Sequence, residues 1–296
     1  METQILVPLD GSPLAERALH CAEMLGRELP AELVLLRTVS IPFDAREVLA
    51  GRKTDIVVEQ LEARAEAYLD RVAAEMQGVG LRVSRVVEHG AAAEAIVDTA
   101  ADPDIRFIVM ATHGFGGANR WARGSVAERV LHLSSVPVLM VCVLKAGPEP
   151  TCCRRILVPL DGSAAAEQVL PPAVSIAQAT GAEMTLFRVS IVYTSGEFTG
   201  DFFMPLEGTL QTADQIAGAY VDRVAGRLTE EGIKVSTKVQ MGAVAESIVD
   251  YIESQPIDLV AMCTHGRTGK GRWTLGSVAD RVLRSGCLPV LLVRTR

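Results

Sequence analysis

Two stretches of the chain combine glycine, cationic side chains and a hydroxyl in a way suited to holding an anion. Ala111-Thr-His-Gly-Phe-Gly-Gly-Ala-Asn-Arg-Trp-Ala-Arg-Gly-Ser125 is paralleled by Cys263-Thr-His-Gly-Arg-Thr-Gly-Lys-Gly-Arg-Trp-Thr-Leu-Gly-Ser277. Each follows an apolar run of strand length, shows no helical or strand period of its own, and leads into a helical pattern. Connections in α/β units usually span about 2–6 residues, so a longer glycine-rich excursion points to ligand contact. Phosphate is the ligand that fits. Glycine lets backbone N–H groups approach oxygens closely, and the free N–H groups and partial positive charge of a helix N-terminus favour an anion. Arg120 and Arg123 in one loop, and Arg267, Lys270 and Arg272 in the other, would supply positive charge. Solvated surface charge accounts for these cations equally well. Ser125-x-x-Glu128 fits a capping box, and Ser277-x-x-Asp280 an approximate one, a role compatible with donating a hydroxyl to phosphate.

A second pair of chemistry-bearing turns is Asp10-Gly-Ser-Pro13 and its recurrence Asp161-Gly-Ser163. Ser12 reads as a helix N-cap with Pro13 at the first helical position. Asp10 is not needed for that cap. A carboxylate just beyond a strand can accept hydrogen bonds from ribose hydroxyls or an adenine amino group, and its structural alternative is a turn-stabilising bond to nearby backbone. His113 and His265, one per glycine-rich loop, fit a loop-holding hydrogen bond better than acid–base chemistry. Trp121 and Trp273 occupy equivalent positions and read as packed anchors or interface residues. Gly266-Arg-Thr-Gly-Lys-Gly271 lacks the Gly-Lys-Ser/Thr ending of a P-loop, and Gly-x-Gly-x-x-Gly is absent. No Ser/His/Asp or Cys/His set emerges, and no carboxylate cluster suggests a dedicated metal site. The six cysteines, at 21, 142, 152, 153, 263 and 287, show no metal-ligand spacing and read as reduced thiols.

The elements that must position these loops are written twice. Ile5-Leu-Val-Pro-Leu-Asp-Gly-Ser12 recurs 151 residues later, and Ala67-Tyr-Leu-Asp-Arg-Val-Ala73 recurs 152 later as Ala219-Tyr-Val-Asp-Arg-Val-Ala225. Thr112-His-Gly114 and Gly124-Ser-Val-Ala127 also repeat at 152. This offset means duplicated domains. The expected division is 1–146 and 154–296, joined by a proline-bearing linker at 147–153. Within the first half, strands are expected at 4–9, 32–39, 82–88, 105–111 and 138–143. Helices are expected from Pro13, over 55–77, over 91–101 and from Ser125 to about Ser134. Near-continuous Val/Ile/Leu strands alternating with helices predict two tandem α/β domains, each a doubly wound five-stranded parallel sheet flanked by helices. Ligands in such sheets lie beyond the carboxyl ends of the strands at the topological switch point. Pro8 and Pro159 fall at the last residues of the first strand of each half.

Composition excludes other classes. With 49% hydrophobic residues the chain has ample apolar surface to bury, so disorder is not expected, and no apolar run reaches the ~20 residues of a membrane-spanning helix. The balance of 29 Lys+Arg against 36 Asp+Glu, a net charge of −7, argues against nucleic-acid binding. The first residues run straight into the apolar stretch 5–9, which leaves no room for a secretory leader and predicts a cytoplasmic protein.

Taken together, Leu6-Val-Pro-Leu-Asp-Gly-Ser12, Met110-Ala-Thr-His-Gly114, nine residues, Gly124-Ser-Val-Ala-Glu-Arg-Val130 and Val136-Pro-Val-Leu-Met-Val141 resemble the universal stress protein family. The second half matches likewise through Met262-Cys-Thr-His-Gly266, nine residues, Gly276-Ser-Val-Ala-Asp-Arg-Val282 and Leu288-Pro-Val-Leu-Leu-Val293. The resemblance covers nearly the whole chain, once per half, and implies an adenine-nucleotide alpha-hydrolase-like fold. The family's ATP pattern is Gly, two residues, Gly, nine residues, then Gly-Ser or Gly-Thr. It places its later glycines on Gly114 and Gly124, with Ser125, and on Gly266 and Gly276, with Ser277. Ala111 and Cys263 stand where the first glycine would be. The resemblance further implies ATP contacts from Pro8, Asp10, Val39, Met110, His113 and Val126, and from Pro159, Asp161, Val189, Met262, His265, Arg267 and Val278. ATP is the implied ligand, with Mg²⁺ or Mn²⁺ arriving on its phosphates. The implied role is regulatory, with little or no catalysis; the alternatives are a slow ATPase or adenylate-transferring enzyme, and a nucleotide-free scaffold. The last strands, 138–143 and 290–294, are expected to pair across the two halves as in the family's dimers, and the resemblance also admits a homodimer.

Overall fold

Strand β1 (Gln4–Pro8) buries Ile5, Leu6 and Val7 completely, as a strand covered on both faces must. The computed structural model describes residues 3–40, 52–112, 125–142, 153–190, 207–266, 275–286 and 288–295. After β1 come α1 (Pro13–Glu28), β2 (Glu32–Val39), α2 (Arg52–Gly78), β3 (Val83–His89), α3 (Ala92–Thr99), β4 (Ile105–Ala111), α4 (Ser125–Leu133) and β5 (Val138–Val141). Their sheet order is β3-β2-β1-β4-β5, with all neighbours parallel. Helix α1 packs on β1 and β4, α2 on β2 and β3, and α3 on β2 and β3 beside α4.

The chain divides into two compact units, and the second repeats the pattern. It contains β6 (Arg155–Pro159), α5 (Ala164–Glu167), α6 (Leu170–Thr180), β7 (Glu183–Ser190), α7 (Glu207–Glu230), β8 (Lys234–Met241), α8 (Val244–Ser254), β9 (Leu259–Cys263) and α9 (Ser277–Ser285). The parallel order here is β9-β6-β7-β8. Where the first unit has one helix of 16 residues in α1, the second has α5 and α6 separated by a turn at 168–169. Pro171 and Pro172 cause the break, because neither offers the N–H that would bond the Glu167 or Gln168 carbonyl.

The last strand, β10 (Val290–Val293), belongs with the first unit, which takes in Pro289–Arg294. It runs antiparallel to β5 with Val290 opposite Met140, Leu291 opposite Leu139 and Leu292 opposite Val138. The expected pairing of these segments is therefore present. It covers the row of backbone groups that β5 would otherwise leave open at a sheet edge. Among the described residues no helix is long and apolar enough to cross a membrane.

Candidate functional site

In each unit the ladder between two neighbouring strands stops early where the strand order reverses, the place at which such sheets form a crevice. The β1–β4 ladder runs from Gln4 opposite Ile105 to Leu6 opposite Ile108 and goes no further. Beyond that point β1 stays with β2, through Pro8 opposite Leu36 and a 2.8 Å bond from Leu9 N–H to the Leu36 carbonyl. Strand β4 stays with β5, through Ala111 opposite Val141 and a 3.0 Å bond from Thr112 N–H to the Val141 carbonyl. Backbone N–H groups alternate in direction along a strand. Since Leu9 donates toward β2, the donor that Pro8 lacks would have faced β4, where the ladder has already ended. In the second unit β6 and β9 pair only at Ile156–Leu259 and Leu157–Val260, and Leu160 N–H then bonds the Phe187 carbonyl of β7 at 2.8 Å.

The aspartate turns lie at the mouth of these crevices. Asp10 Oδ1 accepts the Ser12 N–H at 2.9 Å, and Ser12 Oγ accepts the Ala15 N–H at 3.1 Å as the cap of α1. Asp161 Oδ1 accepts both the Ser163 N–H at 2.9 Å and the Ser163 hydroxyl at 2.6 Å, and Ser163 Oγ caps α5 through the Ala166 N–H at 3.1 Å. The turn-stabilising role weighed for Asp10 is thus real, and the Asp10 side chain is exposed all the same. Gly11 at φ +86° and Gly162 at φ +85° hold the left-handed conformation that these turns require.

The strand ends wall the crevice. Val39, Met110 and Ala111 are buried in the first unit, and Met262 and Cys263 in the second, where Val189 is half-buried. Cys263, which replaces a motif glycine, directs its thiol to the backbone of α5. Its S–H donates to the Ala165 carbonyl at 3.0 Å. Burial, reinforced by the negative Asp161, pushes this thiol from an ordinary 9.0 up to about 12, against the opposing backbone bond at Val169; burial does the same to Cys21. Both thiols are therefore expected to resist alkylation in the native chain at pH 8 and to react on unfolding, as read by mass spectrometry of iodoacetamide-treated protein. Stability contributed by the neutral folded thiols is complete below pH 9 and is lost as pH rises from 9 toward 12.

The return from the glycine-rich loop is tight in the second unit. Gly276 is the N-cap of α9, has no side-chain capping bond, and donates its N–H to the Thr264 carbonyl at 2.9 Å. A Cβ at Gly276 would stand 2.8 Å from that carbonyl oxygen. One at Gly266 would collide with Asp161 Oδ2, so glycine is what lets the start of the loop approach the carboxylate. His265 Nδ1 lies 3.2 Å from Oγ1 of its neighbour Thr264. The capping-box expectation is corrected. Ser277 is the first helical residue, with the cap one position earlier on Gly276, and Ser125 is likewise the first residue of α4. Both serines are exposed, with Val126 and Val278 half-buried behind them. The first-turn N–H groups of a helix have no partners within it, so this end can receive an anion.

His113, Gly114, Gly124 and Arg267 lie outside the described residues, as do Arg120, Arg123, Trp121, Lys270, Arg272 and Trp273. Among the described residues no group of three or more His, Cys, Asp or Glu is arranged to hold a metal ion. Arg37 and Arg188, not among the expected site residues, lie against the glycines of the two aspartate turns. The available signal was Tyr68 and Arg71, three apart on a helix and repeated as Tyr220 and Arg223, a pattern that served only to establish the duplication.

Residues 1–141 and 153–294 each match the Universal stress protein family. A universal stress protein of Mycolicibacterium smegmatis is 26% identical over 304 residues, covering 100% of this chain and 98% of its own. Universal stress protein MJ0531 of Methanocaldococcus jannaschii is 32% identical over 145 residues, 48% of this chain and 82% of its own. Among solved structures, that of a universal stress protein from Archaeoglobus fulgidus superposes with a TM-score of 0.69 at 23% identity, covering 98% of both chains.

Proposed function

The chain belongs to the universal stress protein family, with two copies of its domain in tandem, and from that membership we propose that it binds ATP in the crevice of each half and acts as a nucleotide-dependent regulator with little or no catalysis. Along the sequence the family domains run 1–146 and 154–296, linked by 147–153, with the strand β10 of the second taken into the first compact unit, and the protein works in the cytoplasm. The observation that carries this reading is the crevice itself. Strands β1 and β4 part beyond Leu6 and Ile108, β6 and β9 part beyond Leu157 and Val260, and an aspartate turn stands on the near side of each gap. On the far side of the second gap, α9 begins without a serine cap. Val39 or Val189 would wall the adenine, Asp10 or Asp161 would meet the nucleoside, and the Gly276-Ser277 start of α9 would take phosphate oxygens, with Mg²⁺ or Mn²⁺ carried in by the phosphates.

Charge-assisted hydrogen bonds are worth about 1.5–3 kcal/mol, so Asp10→Ala combined with Asp161→Ala is expected to weaken ATP by about 10–100-fold. Isothermal titration of the full chain measures this. Unchanged affinity in the double variant would remove the aspartates from the site. Multiple-turnover release of phosphate or AMP well above background would instead favour the enzymatic reading.

A further inference from the structure

This inference rests on the nucleotide reading and concerns what holds its aspartate turns in place. Arg37, on β2, lays its guanidinium where a Cβ on Gly11 would stand, with Nη1, Nη2 and Cζ at 2.9, 3.0 and 3.1 Å from that point. Arg188, on β7, does the same at Gly162, with Cζ and Nη2 at 3.0 Å. Both arginines are half-buried.

Each guanidinium is itself gripped by an aromatic ring. Arg37 Cζ lies 4.6 Å from the Tyr68 ring centroid, and Arg188 Cζ lies 4.7 Å from that of Tyr220. A second arginine contacts each ring, Arg71 at 5.3 Å and Arg223 at 5.5 Å. Burial, together with the negative Glu16 beside Tyr68 and the hydrogen bond from Tyr220 to Glu167, holds both phenols protonated well above their ordinary range, so the rings stay neutral. The helices that carry the rings are fastened to the helices that follow the turns. Arg71 Nη2 donates to Glu16 Oε1 at 2.6 Å. In the second unit Tyr220 OH donates to Glu167 Oε1 at 3.0 Å, and Arg227 Nη2 to Glu167 Oε2 at 2.7 Å.

We propose that Arg37 and Arg188 are positioning residues of the nucleotide site, setting the aspartate–glycine turn, and with it the affinity for nucleotide, from behind. The front of each turn is held by the aspartate's own bond to the serine N–H. The back is held by a planar cation that fits between an aromatic face and a residue with no side chain. Charge alone does not suffice, because an ammonium lacks the plane that fills this slot. Glycine at 11 and 162 is then required twice over, by its left-handed φ and by the guanidinium occupying the space of a side chain.

The test is ATP affinity of the full chain by isothermal titration, with the melting temperature recorded for every variant. Arg37→Ala with Arg188→Ala is expected to weaken ATP by about 10-fold through lost preorganisation, and the double Arg→Lys variant to weaken it by a similar factor. Millimolar guanidinium is expected to restore the alanine variant, whereas equal sodium chloride is not. Lysine variants that bind as tightly as the unsubstituted chain would overturn the assignment, since charge would then be enough. So would alanine variants of unchanged affinity, or a loss that follows the melting temperature and is not rescued by guanidinium. An unsubstituted chain that takes up no ATP rejects the nucleotide reading and this assignment with it; an unsubstituted chain that binds while the variants bind equally rejects the assignment alone.

Discussion

Gly276→Val is expected to abolish nucleotide uptake by the second half while leaving the first half able to bind. A Cβ at this position meets the Thr264 carbonyl oxygen at 2.8 Å, and that oxygen already accepts the Gly276 N–H at 2.9 Å. Backbone on both sides cannot yield as the end of a flexible side chain would. The start of α9 must therefore move away from the end of β9, taking with it the N–H groups proposed for phosphate. Overpacking of this kind costs about 1–3 kcal/mol, and a preorganised site tolerates displacements of only about 0.5 Å in the groups that line it. The expected reading is half the ATP stoichiometry of the unsubstituted chain with only a modest change in urea midpoint. Full stoichiometry at full affinity would show that the helix start takes no part.

Phe187→Ala carries the largest expected cost in stability. Phe187 is 1% exposed in the middle of β7, and its ring centroid lies 4.8 Å from that of Tyr251 on α8. Truncating a buried phenylalanine usually costs about 3–5 kcal/mol through lost burial and a residual cavity, a large share of the roughly 5–15 kcal/mol that holds a domain together. The site should feel it too, because the Phe187 carbonyl receives Leu160 N–H one residue before Asp161. With two units in the chain, unfolding need not be two-state. The expected result is a transition of the second half shifted to lower urea and that of the first half left in place. A shift under about 1 kcal/mol would mean that the core closes over the gap.

Much of this structure could be read from residue order because hydrophobic period and duplication agree. The strands at 32–39 and 105–111 occur with the expected bounds, and Ser12 and Pro13 start α1 as cap and first residue. The break between α5 and α6 is also legible, since Pro171-Pro172 stands where the first half has an unbroken helix. Ser125 and Ser277 are first helical residues; a serine followed three residues later by an acid satisfies the capping-box pattern without showing which residue caps the helix, and at α9 that residue is Gly276. Arg37 and Arg188 were not legible as site residues. Their role depends on a ring from a helix distant in sequence and on a glycine conformation, neither of which spacing along one strand can reveal. The pairing of β10 with β5, by contrast, follows from the family resemblance.

The two crevices are proposed to hold ATP without consuming it. Equilibrium dialysis of the full chain against labelled ATP, with the nucleotide recovered at equilibrium and identified, tests it most directly. Saturable uptake approaching one nucleotide per half, recovered as intact ATP and diminished by Asp10→Ala with Asp161→Ala, is the result predicted. No retention above a non-binding control protein, or recovery mainly as ADP or AMP after many turnovers, would contradict it.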